Sequence, residues 1–121
     1  MTFERKKMHK IFVYGTLKQG FCREGVMKGN FLGKTRTLSQ YKLNDLGGFP
    51  GLTPSEIGKA IEGELWEVDD DCLRTLDMIE GHPRLFRRDS VELEHPKGKD
   101  AEAYFWQGRD AEDCGTCWTR K

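Results

Sequence analysis

One stretch of this 121-residue chain carries the start and stop signals of a solid helix, and it lies among runs that read as strands. Asp69 to Glu80 opens on three successive acids, which suit the positive end of a helix dipole, and Gly81 followed by Pro83 ends it. Leu73, Leu76 and Glu80 stand at i, i+3 and i+7, so they share one face, and that face is predicted to point into the core. Glu80 then combines burial with the last turn of a helix. Both disfavour negative charge and raise a carboxyl group's pKa, which makes it a better proton acceptor than a surface Glu. The competing structural reading is a Glu that bends back to water at a frayed helix end.

The remainder is mostly strand and turn. Ile11 to Tyr14 is β-prone, and Arg23 to Lys28 suits a short helical turn. Phe31 to Leu43 is expected to hold one longer strand ending at an Asn44-Asp45 turn. Leu46 to Pro54 is expected to be an ordered loop that walls a pocket, because its Gly and Pro content is too high for regular structure. Ala60 to Val68 alternates apolar with polar as a half-buried strand does, and Leu85 to Leu93 and Ala101 to Trp106 complete the set. Strands around one helix predict an α+β domain built on a curled, antiparallel-rich sheet. The length fits a single domain over 1–121, with 1–9 and 110–121 expected as loose tails.

The first strand runs directly into Tyr14-Gly15-Thr16-Leu17-Lys18-Gln19-Gly20. A Gly-bounded loop at a strand end can aim successive backbone N–H groups at one point, where they bind a carboxylate or a developing oxyanion. Gly15 lets the backbone approach a ligand closely, so a side chain at 15 is expected to intrude on it. Gly15 and Gly20 have the spacing of a phosphate-loop pair. Phe21 and Cys22, however, stand where that motif requires Lys and Ser or Thr, which excludes it.

Charge narrows the partners. With 20 basic and 20 acidic side chains the net charge is zero, so nothing favours a nucleic acid, and Arg5, Lys6, Lys7 and Lys10 read as a solvated tail. No apolar run approaches the roughly 20 residues of a membrane span and no leader-like core follows Met1, so the expected location is cytoplasmic. Cys22, Cys72, Cys114 and Cys117 then read as thiols rather than a disulfide framework. Cys114 and Cys117 form a lone CxxC with no second ligand pair at zinc spacing from His82 or His95, so no metal site is expected.

Three motifs in order, Val13-Tyr14-Gly15-Thr16-Leu17, Gly63-Glu64-Leu65-Trp66-Glu67-Val68 and Leu76-Asp77-Met78-Ile79-Glu80-Gly81-His82-Pro83, carry a resemblance. Across roughly Lys10 to Trp106 the chain resembles the γ-glutamylcyclotransferase-like family, in its AIG2-like and γ-glutamylamine cyclotransferase branch. The resemblance implies a small mixed β-barrel with flanking helices, and an enzyme that releases 5-oxoproline from a small-molecule γ-glutamyl substrate without a cofactor. It implies Glu80 as general acid/base and Tyr14, Gly15, Thr16 and Leu17 as the loop that holds the substrate. Phe86 departs from the Tyr usual in this branch after the Gly-x-Pro turn, and so lacks its hydroxyl. His82 is read as a turn residue, Arg87 and Arg88 as outward-facing, and Tyr104 as core. The alternative function on the same fold is a non-catalytic module that holds a small metabolite or a partner protein.

Overall fold

The computed structural model describes residues 7–120. Seven strands and one helix follow in the order β1 (Met8–Val13), β2 (Gly29–Arg36), β3 (Tyr41–Asp45), β4 (Pro50–Pro54), β5 (Glu62–Asp69), α1 (Asp70–Ile79), β6 (Phe86–Leu93) and β7 (Gly98–Trp106), with a 3-10 turn at Glu24–Val26. The class is α+β, and antiparallel pairing dominates: β1 with β5, β2 with β5, β3 with β4 and β6 with β7. β1 and β4 each run parallel to β7.

The path β2-β5-β1-β7-β6 curls until its two ends meet. A single bridge, Thr37 to Leu93, and the bonds Leu38 N–H to Glu92 O and Glu94 N–H to Arg36 O join them. The closure is a bridge rather than a ladder, so the sheet is a partly open barrel and not a closed one.

Alternation along β1 divides the core. Phe12 and Tyr14 pack inward with Leu43, Leu52, Phe105 and Trp118. Ile11 and Val13 face the other way, toward Leu73 and Leu76 of α1. The helix begins as its acids predict: Asp69 is the N-cap, its side chain accepting from Cys72 N–H at 2.9 Å. Its end is a Schellman arrangement. Gly81 has φ of +65°, its N–H bonds Met78 O at 3.2 Å, and His82 N–H bonds Asp77 O at 2.9 Å.

Three expectations need correction. Phe31 to Leu43 is not one strand but the parts of two, β2 and β3, separated by a turn in which Gln40 N–H bonds Leu38 O. Asn44 and Asp45 belong to β3. Asn44 is wholly buried and its amide donates to Gly51 O and Thr53 Oγ1, so a residue typical of turns serves here as a cross-strand tie. The turn follows at Leu46–Phe49, and residues 50–54, expected as loop, form strand β4. Its two prolines stand at the strand ends, where a missing N–H is tolerated, and a Cβ on Gly51 would stand 2.7 Å from Trp106 Cβ.

Neither tail expectation holds for the described residues. Met8 and His9 pair with Asp69 and Val68; Arg5 and Lys6 lie outside the described residues. Residues 110–120 are strapped across the barrel. Asp45 N–H bonds Glu112 O, Cys114 N–H bonds Leu43 O and Glu62 N–H bonds Thr116 O, while Trp118 is 2% exposed within the inner core. A polar segment with one apolar anchor offers little for hydrophobic periodicity to detect.

Candidate functional site

Along one edge of β7 runs β6, which pairs with Ala101, Glu102 and Phe105. Along the other edge β1 pairs with Ala101 and Glu102, and then β4 takes over at Phe105. β1 and β4 therefore part from each other beside Tyr104, and the chain leaving β1 turns away at Tyr14. The Tyr14 hydroxyl fills the parting. It donates to Tyr104 O at 2.5 Å and accepts from Leu52 N–H at 3.1 Å, supplying the bonds a continuous ladder would have made. Burial pushes the Tyr14 hydroxyl's pKa far up, with nearby Glu80 adding to the rise, so it stays neutral.

A cleft of about 210 Å³ opens at this parting. Tyr14, Gly15, Thr16, Leu17 and Glu80 all line it, so five positions chosen along 67 residues of chain come together at one place. The loop is shaped by its carbonyls. Lys18 N–H bonds Gly15 O at 3.1 Å, Arg23 N–H bonds Thr16 O at 2.8 Å, and Phe21 N–H bonds Lys18 O at 3.1 Å. The N–H groups of Thr16 and Leu17 find no acceptor among the described residues, and both residues are buried. Buried backbone donors are nearly always paired, so two unpaired ones lining a cleft are available to a ligand.

Gly15 is constrained by space rather than by backbone dihedrals. Its φ is not in the left-handed region, but a Cβ there would stand 2.8 Å from Cγ and Cδ of Pro50, a ring that cannot swing aside.

Glu80 caps the C-terminus of α1, with its own N–H bonded to Leu76 O at 2.9 Å. Among the described residues its carboxylate makes no hydrogen bond and no ion pair. Burial raises its pKa above the ordinary 4.5, and Arg23 pulls it partly back. A half-buried acidic side chain is thus held with its acceptor oxygens unused.

Behind the cleft wall, Tyr104 donates its hydroxyl to Asp77 Oδ1 at 2.7 Å, and Arg88 holds both oxygens of Asp77 at 2.6 and 2.5 Å. Arg88 was expected to face outward like Arg87. It turns inward because Asp77, from the helix, offers it a carboxylate. Tyr104 both packs in the core and lines the cleft. His82 accepts Arg88 N–H at 2.9 Å, as suits a turn residue. Phe86 is buried between Phe49 and Trp106, with ring centroids 6.1 and 5.4 Å away. Phe86 also lines the cleft, where it presents a ring without a hydroxyl.

Like Phe86, Phe12 and Val13 line the cleft, and so do Phe49 and Pro50, from the stretch 46–54 that was expected to wall a pocket; Arg23, Ile79 and Leu85 line it too and were not singled out from sequence. No spacing rule marks them, since each comes from a different turn or element end. Among the described residues no group of three or more His, Cys, Asp or Glu is placed to hold a metal ion. No helix among them is long and apolar enough to cross a membrane.

Comparison with known proteins follows the same lines. The family model described as γ-glutamyl cyclotransferase, AIG2-like, matches residues 11–120. A Methanocaldococcus jannaschii protein, named as a candidate γ-glutamylcyclotransferase, is 37% identical over 112 residues, covering 89% of each chain. The γ-glutamylamine cyclotransferase of Rattus norvegicus is 35% identical over 96 residues, or 71% of this chain and 64% of that one. Among solved structures, a mouse AIG2-like protein superposes with a TM-score of 0.74 at 29% identity, covering 94% of this chain and 87% of the other.

Proposed function

We infer the reaction from family membership: the chain belongs to the AIG2-like γ-glutamyl cyclotransferase family, whose members are enzymes, and its cleft is suited to that chemistry. The reaction is the cyclisation of a γ-glutamyl group. The α-nitrogen of the substrate attacks its own γ-carbonyl carbon and a new C–N bond forms. The bond from that carbon to the leaving nitrogen then breaks, giving 5-oxoproline and a free amine.

The nucleophile belongs to the substrate, so the enzyme needs no Ser or Cys of its own. It must remove a proton from the α-ammonium, hold the glutamyl chain curled, and accommodate the oxyanion of the tetrahedral intermediate. Glu80 takes the proton and returns one to the leaving nitrogen. Its raised pKa suits both halves of that task, since the group must be an acceptor first and a donor afterwards. The Thr16 and Leu17 N–H groups face the substrate's anionic oxygens, where fixed donors in a partly enclosed cleft act more strongly than they would in water. Tyr14 and Gly15 set the shape of that loop, Tyr14 by tying it across the strand parting and Gly15 by its contact with Pro50. Holding amine and carbonyl in contact contributes a large share of the rate enhancement, because the attack becomes intramolecular within a fixed geometry.

The observation that carries this reading is the carboxylate of Glu80, half-buried and unbonded, lining the same cleft as two unpaired backbone donors. A pure binding module has no need of such a group. The test is to incubate the purified protein with γ-glutamyl-amino acids and γ-glutamyl-amines and to measure 5-oxoproline by mass spectrometry. Release from at least one donor, in proportion to enzyme, is expected. Tight binding of every donor with no 5-oxoproline would contradict it.

A further inference from the structure

We propose that Arg23 selects substrates whose leaving amine carries a carboxylate, so that this cleft prefers γ-glutamyl-amino acids to γ-glutamyl-amines without an acid group. The inference rests on the cyclotransferase reading and extends it to the other half of the substrate. The cleft encloses about 210 Å³, below the roughly 300 Å³ at which ligand sites usually begin. With the γ-glutamyl unit inside, the leaving amine must extend past the mouth.

What it meets there is defined. Phe49, Ile79 and Leu85 line the cleft and are 36%, 37% and 47% exposed, so they give its open side an apolar rim. Arg23 is the one cation among the cleft's lining residues, and Glu80 the one carboxylate. Arg23 is anchored at the loop end by its backbone N–H bond to Thr16 O at 2.8 Å. Its guanidinium makes no hydrogen bond and no ion pair among the described residues. It acts on Glu80 only at a distance.

Charge then assigns the positions. Glu80 faces the substrate's α-ammonium and the loop donors face the oxygens of the glutamyl unit, which leaves Arg23 free for a further anion. A guanidinium offers a planar fork that matches a carboxylate with two parallel bonds. An apolar rim beside one such fork fits an amino acid with an apolar side chain, its body on Phe49 and Leu85 and its carboxylate on Arg23.

The test uses a matched pair: γ-glutamyl-leucine and γ-glutamyl-isopentylamine, the same leaving group with and without its carboxylate. For the wild-type enzyme the ratio of kcat/KM for the first over the second should exceed one and should fall as salt is raised, because the pair at the mouth is partly screened. In Arg23→Gln that ratio should drop about two- to fivefold, chiefly through KM for the leucine compound, the range expected for an exposed charged pair. Arg23→Lys should restore part of it. A ratio unchanged in Arg23→Gln would overturn the proposal, whether or not overall activity falls, since a merely structural role would reduce both substrates alike. If neither compound yields 5-oxoproline, the reaction reading fails, and calorimetric titration of the same pair still decides the point. Binding of the leucine compound no weaker in Arg23→Gln than in wild type would overturn the role of Arg23.

Discussion

A carboxylate drawn partly out of water and given no partner costs free energy when ionised, and half-buried Glu80 is such a group. The cost is expressed as a raised pKa, and this fixes the direction of the pH dependence. The base form is the carboxylate, so activity should be lost as pH falls through the raised pKa of Glu80. The acid limb of kcat/KM should have its midpoint above the 4.5 of an ordinary Glu. Arg23 lowers that pKa, so in Arg23→Gln the limb should move to still higher pH. A pH–rate profile of both proteins checks the two statements together. A wild-type midpoint at or below 4.5, or a limb that moves down in the variant, would contradict them. The place of Glu80 beside the cleft was legible because the pattern Leu73, Leu76, Glu80 aims a carboxylate along an apolar face. Arg23 was not, because an isolated basic residue in a loop has no periodicity to give its direction.

At the scale of elements, the cleft is made by one loop and one helix end meeting where two strands part. The loop is held by carbonyl bonds and by the fit of Gly15 against Pro50. Gly15→Val would drive a branched side chain into the proline ring that opens β4. It is expected to abolish binding of a non-hydrolysable γ-glutamyl analogue, whereas Thr16→Ala, which keeps the backbone donor, should weaken binding only a few-fold, the smaller change expected when an N–H survives. Calorimetric titration, with a thermal melt to verify that each variant is folded, separates the two. Undiminished affinity in folded Gly15→Val would place the substrate elsewhere. The loop and α1 were readable from sequence because their signals are local: a β-prone run ending in Gly, and acids before an apolar face with Gly and Pro after it. β4 was not. Two prolines and a glycine within five residues argue against a strand unless its neighbours are known. Here the prolines sit at the ends and Gly51 admits the Trp106 side chain.

At the scale of the whole molecule, the residues beyond β7 belong to the structure as fully as the strands do. Trp118 fills the inner core, and its carbonyl accepts from Lys18 Nζ at 2.7 Å, so the strap is tied to the loop that lines the cleft. Trp118→Ala should destabilise the protein by about 3–5 kcal/mol, the usual cost of removing a large buried aromatic. Urea unfolding followed by fluorescence would show it; a change within about 0.5 kcal/mol would mean a surface tail instead. Sequence could not reveal this strap, because a single Trp among Gly, Thr, Asp and Glu has neither helical nor strand period. Nor could it reveal the parting of β1 and β4 on β7, which depends on long-range pairing alone. What unites these scales is the claim that the parting, the loop and the helix end form a cyclisation site driven by Glu80. The most direct measurement is single-turnover release of 5-oxoproline by Glu80→Gln from a donor that the wild type accepts. Gln keeps the volume and removes the proton acceptor, so the rate should fall by about two to four orders of magnitude while the fold and substrate binding persist. A folded Glu80→Gln that cyclises the donor at the wild-type rate would contradict the account.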